Sequence, residues 1–106
     1  MENILEETKY IIRRYGIKAN KSLGQNFLIN QKVIETIIDS SKITNEDLVI
    51  EIGPGLGTLT KYLIEKAGKV ICIELDQKMI TILNDRFSLY TKFISLRVQK
   101  DIWTLI

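Results

Sequence analysis

Apolar side chains recur at helical spacing from the start of the chain, with Ile4, Leu5, Thr8, Ile11, Ile12 and Tyr15 on one face. This stripe predicts an amphipathic helix, and Gly16 offers its stop. Ile17 to Asn30 lacks periodicity and reads as an irregular segment with Gly24 in its middle. Asn30 suits the N-cap of a second helix, whose buried stripe is Val33, Ile34, Ile37 and Ile38. After a polar turn from Thr44 to Asp47, the run Leu48-Val49-Ile50-Glu51-Ile52 is rich in β-branched residues and predicts a strand ending at Gly53. A third helix is expected from Thr58 to Ala67, with Leu59, Tyr62 and Leu63 inward and Gly68 as its end. Lys69 to Glu74 is almost continuously apolar inside, the pattern of a parallel strand covered on both faces. Asp76 can cap a fourth helix carrying Met79, Ile80, Leu83 and Phe87 at helical spacing, and Phe93 to Val98 reads as a third strand.

From Leu48 the order is strand, helix, strand, helix, strand. That alternation implies right-handed crossovers and a parallel α/β sheet. The two helices before the first strand read as an extension of the same unit. The chain therefore divides into residues 1–47, helices and an irregular loop, and residues 48–106, the α/β core. No repeat or linker interrupts it, and 106 residues fit one domain at most.

Composition narrows the chemistry. A hydrophobic fraction of 45% and a charged fraction of 26% are those of an ordinary globular chain. Net charge is only +2, but its distribution is uneven. Between Tyr10 and Lys32 there is no Asp or Glu, while Arg13, Arg14, Lys18, Lys21 and Lys32 are positive. A solvated basic face and a nucleic-acid contact both fit that pattern. The chain has no histidine, which removes the commonest general base and metal ligand, and no Cys/His cluster exists to hold zinc. The single cysteine, Cys72, lies in an apolar run and reads as a buried thiol, compatible with a reducing cytoplasm. No apolar run approaches the roughly 20 residues of a membrane span, and the acidic N-terminus has no signal-peptide character.

The strongest local signal is Glu51-Ile52-Gly53-Pro54-Gly55-Leu56-Gly57-Thr58. Glycines at a strand–helix junction permit a sharp turn and let a ligand approach bare backbone. In open α/β sheets, ligands bind beyond the carboxyl ends of the strands. A dinucleotide fold uses Gly-x-Gly-x-x-Gly, which would place a glycine where Thr58 stands. Here the third glycine comes one residue early. Glu74 ends the next strand, about 20 residues beyond the loop, where a nucleoside-binding fold hydrogen-bonds ribose hydroxyls. Asp76 lies close behind it and reads as a helix cap.

The Gly-x-Gly-x-Gly loop after an acid-ending strand resembles the first motif of S-adenosylmethionine-dependent methyltransferases. A second segment is more specific. Lys21-Ser22-Leu23-Gly24-Gln25-Asn26-Phe27-Leu28, followed by Glu51-Ile52-Gly53-Pro54-Gly55-Leu56-Gly57-Thr58-Leu59-Thr60, closely resembles the ribosomal RNA small-subunit adenine N6-dimethyltransferase family. The macrolide-resistance methyltransferases of large-subunit rRNA share the Gln-Asn-Phe segment, and their glycine loop is less similar. The resemblance covers Lys18 to Leu83 and implies a Rossmann-like S-adenosylmethionine-dependent methyltransferase fold, truncated after about three parallel strands, with an N-terminal helical extension. It implies that Asn26 and Leu28 touch the cofactor near its methionine end, that Gly53 and Gly55 lie against it, and that Glu74 binds its ribose. Asp101 is the candidate for the family's adenine-binding acid. Tyr90 to Ile106 departs from the family pattern, and Trp103 sits oddly beside Asp101.

The resemblance also implies dimethylation of adenosine N6 in small-subunit rRNA, with rRNA or a pre-30S particle as cytoplasmic partner. Arg13, Arg14, Lys18 and Lys21 would meet RNA phosphates. The family's base-clamping Asn-Leu-Pro-Tyr motif is absent, since the only proline is Pro54. No catalytic residue is therefore assigned, and the chain alone is expected to be inactive and to self-associate through uncovered apolar surface. Two further readings are a non-catalytic cofactor- or RNA-binding remnant and a dinucleotide-dependent oxidoreductase.

Overall fold

The computed structural model describes residues 3–18 and 30–106. Helix α1 (Ile4–Tyr15) starts where the Asn3 side chain accepts the Glu6 amide at 3.1 Å, and ends at Gly16 in the left-handed conformation. Its buried residues are Ile4, Thr8 and Ile11, while Leu5 is exposed. Helix α2 (Gln31–Ser41) is capped by Asn30, as its sequence requires, through the Val33 amide at 3.2 Å. Its buried stripe is narrower than the periodicity suggests. Ile34 is fully buried and Ile38 partly, but Val33 and Ile37 are exposed. Among the described residues, the helix meets its neighbours along this (i, i+4) line, where Ile34 packs with Ile4 and Tyr62.

Strands β1 (Leu48–Ile52), β2 (Lys69–Glu74) and β3 (Phe93–Arg97) form a parallel sheet in the order β1-β2-β3. Helices α3 (Thr58–Lys66) and α4 (Gln77–Phe87) connect them. Helix α3 stops one residue before the expected end: Ala67 is its C-cap, and the Lys92 ammonium donates to the Ile64 and Ala67 carbonyls at 3.0 and 2.7 Å. Strand β3 stops at Arg97, although the Val98 amide still bonds Glu74 O at 2.9 Å. A short helix, α5 (Lys100–Trp103), follows, which the periodicity did not suggest.

A sheet that grows in one direction through right-handed crossovers places successive helices on the same side. The core accordingly lies on one face, where Val70, Cys72 and Phe93 pack against Leu63, Ile64, Leu83 and Phe87. The expectation that β2 is covered on both faces is not met. Ile71 and Ile73 are only partly buried, and their register partners Ile50, Ile52, Ile94 and Leu96 are exposed.

Candidate cofactor site

The glycine loop leaves β1 at the carboxyl edge of the sheet, with the Gly53 amide bonded to Ile73 O at 2.9 Å. Gly53, Gly55 and Gly57 all have positive φ, at 69°, 60° and 89°. Gly53 is exposed, so its backbone is open to a ligand. Gly57 does a different job. A Cβ there would lie 2.6 Å from Phe87 Cε2 and 3.0 Å from Leu83 Cδ2. The missing side chain lets α4 pack directly on the loop. Arg86 of α4 fastens the same place by donating to the Leu56 carbonyl, and its other nitrogen meets Glu7 of α1 at 3.1 Å. Glu7 also receives the Lys61 ammonium at 2.8 Å, so α1, α3, α4 and the loop share one ionic junction.

Glu74 is buried at the tip of β2. One carboxylate oxygen accepts the Leu75 and Asp76 amides at 2.7 and 2.8 Å, and the other takes the Gly55 amide at 3.4 Å. The carboxylate thus joins the second strand to the glycine loop. A carboxylate has about four acceptor sites, so capacity remains on the oxygen facing Gly55 for ligand hydroxyls. Asp76 accepts the Lys78 amide at 2.9 Å and caps α4, which separates the roles of the two acids.

Below the loop lies a cluster that the sequence reading missed. Glu51 accepts from the Thr60 hydroxyl and, at 3.6 Å, from the Cys72 thiol. Burial pushes the Glu51 carboxyl above its ordinary range, an effect that the two donors only partly offset. Burial and the adjacent Glu51 charge likewise push the Cys72 thiol well up, which makes it an inert core group. The signal available in sequence was an acid at an inward position of an alternating strand. Because the folded-state pKa of Glu51 is raised, the native chain binds its proton more tightly than the unfolded chain does. This contribution to stability is present below the ordinary carboxyl pKa and is lost as pH rises through the folded value. Glu51→Gln is therefore expected to raise the urea midpoint at pH 7. The gain should shrink toward pH 4, and a constant gain across that range would contradict the assignment.

The remaining candidates are spread out. Asp101 is exposed on α5, and the residue of that helix that reaches the loop is Trp103. Arg13, Arg14 and Lys18 are exposed at and just beyond the end of α1. Lys21, Asn26 and Leu28 lie outside the described residues. Among the described residues, no group of His, Cys, Asp and Glu is placed to hold a metal ion, and no helix is long and apolar enough to cross a membrane.

Solved structures share this arrangement. A dimethyladenosine transferase from Plasmodium falciparum superposes with a TM-score of 0.62 at 36% identity, covering 66% of this chain and 27% of that one. The 23S rRNA methyltransferase ErmE gives 0.64 at 28% identity, covering 70% and 30%. The three parallel strands with their helices are thus the Rossmann-like fold of S-adenosylmethionine-dependent methyltransferases. A ribosomal RNA small subunit methyltransferase A from Clostridium botulinum is 54% identical over 86 residues, 81% of this chain. The chain spans only 31% of that relative's length. Residues 16–105 match the model of the ribosomal RNA adenine dimethylase family, and the chain belongs to that family.

Proposed function

We propose that the chain supplies the S-adenosylmethionine-binding part of an adenosine N6-dimethyltransferase acting on small-subunit rRNA. One observation carries the reading: the Glu74 carboxylate meets the Gly55 amide at 3.4 Å, two residues from the exposed, positive-φ Gly53, at the carboxyl edge of the sheet. Gly53 and Gly55 would present backbone to the cofactor, Glu74 would accept its ribose hydroxyls, and Asn26 and Leu28 would meet its methionine end. The cofactor supplies an electrophilic sulfonium methyl. Asp101 is assigned to the adenine amino group on family resemblance alone. Its side chain is exposed on α5.

Calorimetric titration of the chain with S-adenosylhomocysteine tests the proposal. Saturable binding that a nicotinamide dinucleotide does not displace is the expected result. A folded chain that binds neither compound would overturn the proposal. Binding without methyl transfer to small-subunit rRNA would favour a non-catalytic role.

The proposed partner is rRNA, or a pre-30S particle in the cytoplasm, met by Arg13, Arg14, Lys18 and Lys21. Replacing all four with alanine should weaken binding to an rRNA fragment. It should also reduce the slope of log K against log salt by about 0.9 per lost phosphate contact, or by roughly 0.7 for single-stranded RNA. Unchanged affinity and slope would dismiss these contacts.

The uncovered sheet face, with Ile50, Ile71 and Ile94 in one row and Ile52, Ile73 and Leu96 in the next, is proposed to pair with a second copy of this chain. Both rows are entirely Ile and Leu, so two copies can oppose apolar surface without burying a charge. Sedimentation should show a concentration-dependent dimer that Ile50→Lys converts to monomer. A monomeric parent chain with a cooperative urea transition would refute the pairing.

A further inference from the structure

Trp103 is the residue of this site that family resemblance does not supply. It is the chain's only tryptophan, and it lies six residues after β3. Its ring nevertheless reaches the start of the loop after β1. A Cβ built on Gly53 would lie 3.3 Å from Trp103 Cη2 and 3.7 Å from Cζ2. The sheet order is β1-β2-β3, so the segment carrying Trp103 must pass the carboxyl end of β2 to get there. That end is Glu74, which is in register with Arg97 on one side and follows Ile73, the bonding partner of Gly53, on the other. Neighbouring strands lie about 4.8 Å apart, so the indole, lying against Gly53, stands at the end of the strand next to Glu74. The ring is half-buried and Gly53 is exposed, so the indole flanks the bare backbone without closing it off. The α5 turn holds it there through the Trp103 amide, which donates to Gln99 O at 2.9 Å.

We infer that Trp103 is an aromatic wall of the cofactor site, against which the purine of a bound adenosine-containing ligand stacks. The inference rests on the cofactor reading above. A ribose held by Glu74 carries its base toward a neighbouring strand end, and the indole stands at one of these, against Gly53. The ring offers a flat, polarizable face of matching size. This gives the purine a stacking partner in addition to the acid proposed for its amino group.

The single tryptophan provides the readout. S-adenosylhomocysteine and adenosine should each quench its emission saturably, whereas methionine should not. Trp103→Ala should weaken calorimetric affinity for S-adenosylhomocysteine about tenfold, within the range of base–aromatic stacking, and Trp103→Phe should recover most of it. Circular dichroism and a urea midpoint for each variant separate lost stacking from lost fold. If the wild-type chain binds and Glu74→Ala weakens it, but Trp103→Ala binds equally well or more tightly, the wall is refuted while the cofactor site stands. Weakening by Trp103→Ala that Trp103→Phe does not recover also overturns stacking. If the folded wild-type chain binds none of the three compounds, the cofactor reading fails and the wall falls with it.

Discussion

Replacing Glu74 with alanine is expected to reduce S-adenosylhomocysteine affinity at least 100-fold. Hydrogen bonds to a charged acceptor contribute about 1.5–3 kcal/mol each, so two ribose hydroxyls represent about 3 kcal/mol or more. A factor of ten corresponds to about 1.4 kcal/mol. Alanine does further damage, since it removes the acceptor for the Leu75, Asp76 and Gly55 amides. Glu74→Gln separates the two effects. Its amide oxygen can still accept the Leu75 and Asp76 amides and hold the tip of β2, but its nitrogen cannot accept from a ribose hydroxyl. The Gln variant should therefore keep most of the wild-type urea midpoint while losing much of the affinity. Calorimetric titration beside a urea melt checks both. Wild-type affinity in a folded Gln variant would remove Glu74 from the ribose role.

Gly57→Ala is expected to cost roughly 2–4 kcal/mol of folding stability, counting about 1–3 for overpacking and about 1 for a Cβ at positive φ. The new methyl would overlap the Phe87 ring and crowd Leu83, both of which are buried, so neither can swing aside into solvent. Typical total stabilities are only about 5–15 kcal/mol, so this loss is a large share of the total and should lower the urea midpoint clearly. The check is the urea midpoint of Gly57→Ala against that of Gly55→Ala, which tests a neighbouring positive-φ glycine. A similar loss in both would mean that backbone conformation, not α4 packing, sets the cost at Gly57.

The sheet and its crossover helices were legible because period-2 and period-3.6 patterns alternate cleanly from Leu48 onward, and the strand starts agree with the structure at Leu48, Lys69 and Phe93. The helix caps at Asn30 and Asp76 were legible for the same local reason. What the sequence hid depends on contacts across distance. Val33 and Ile37 look as apolar as Ile34, and only the position of α1 and α3 decides which of them is covered. The Glu51–Thr60–Cys72 cluster joins three separate elements. Trp103 reaches Gly53 only because a four-residue helix turns the chain back across the sheet edge. Of the candidate site, the glycine loop and Glu74 were readable as a pair because they fall in consecutive strand ends. Asp101 followed from resemblance alone, and the structure leaves it exposed.

The ionic junction at Glu7 has a consequence for the order of assembly. Helix α1 has 12 residues, a length at which an isolated helix is marginal in water. Its polar anchors lie far ahead in the chain: Glu7 pairs with Lys61 and Arg86, and Tyr15 donates to Asp85. During synthesis Ile4 can pack on Ile34 and Tyr62 once α2 and α3 have emerged, but the junction at Glu7 cannot close until Arg86 of α4 follows. Helix α1 is made before all of these partners and is fixed in place only after the last of them.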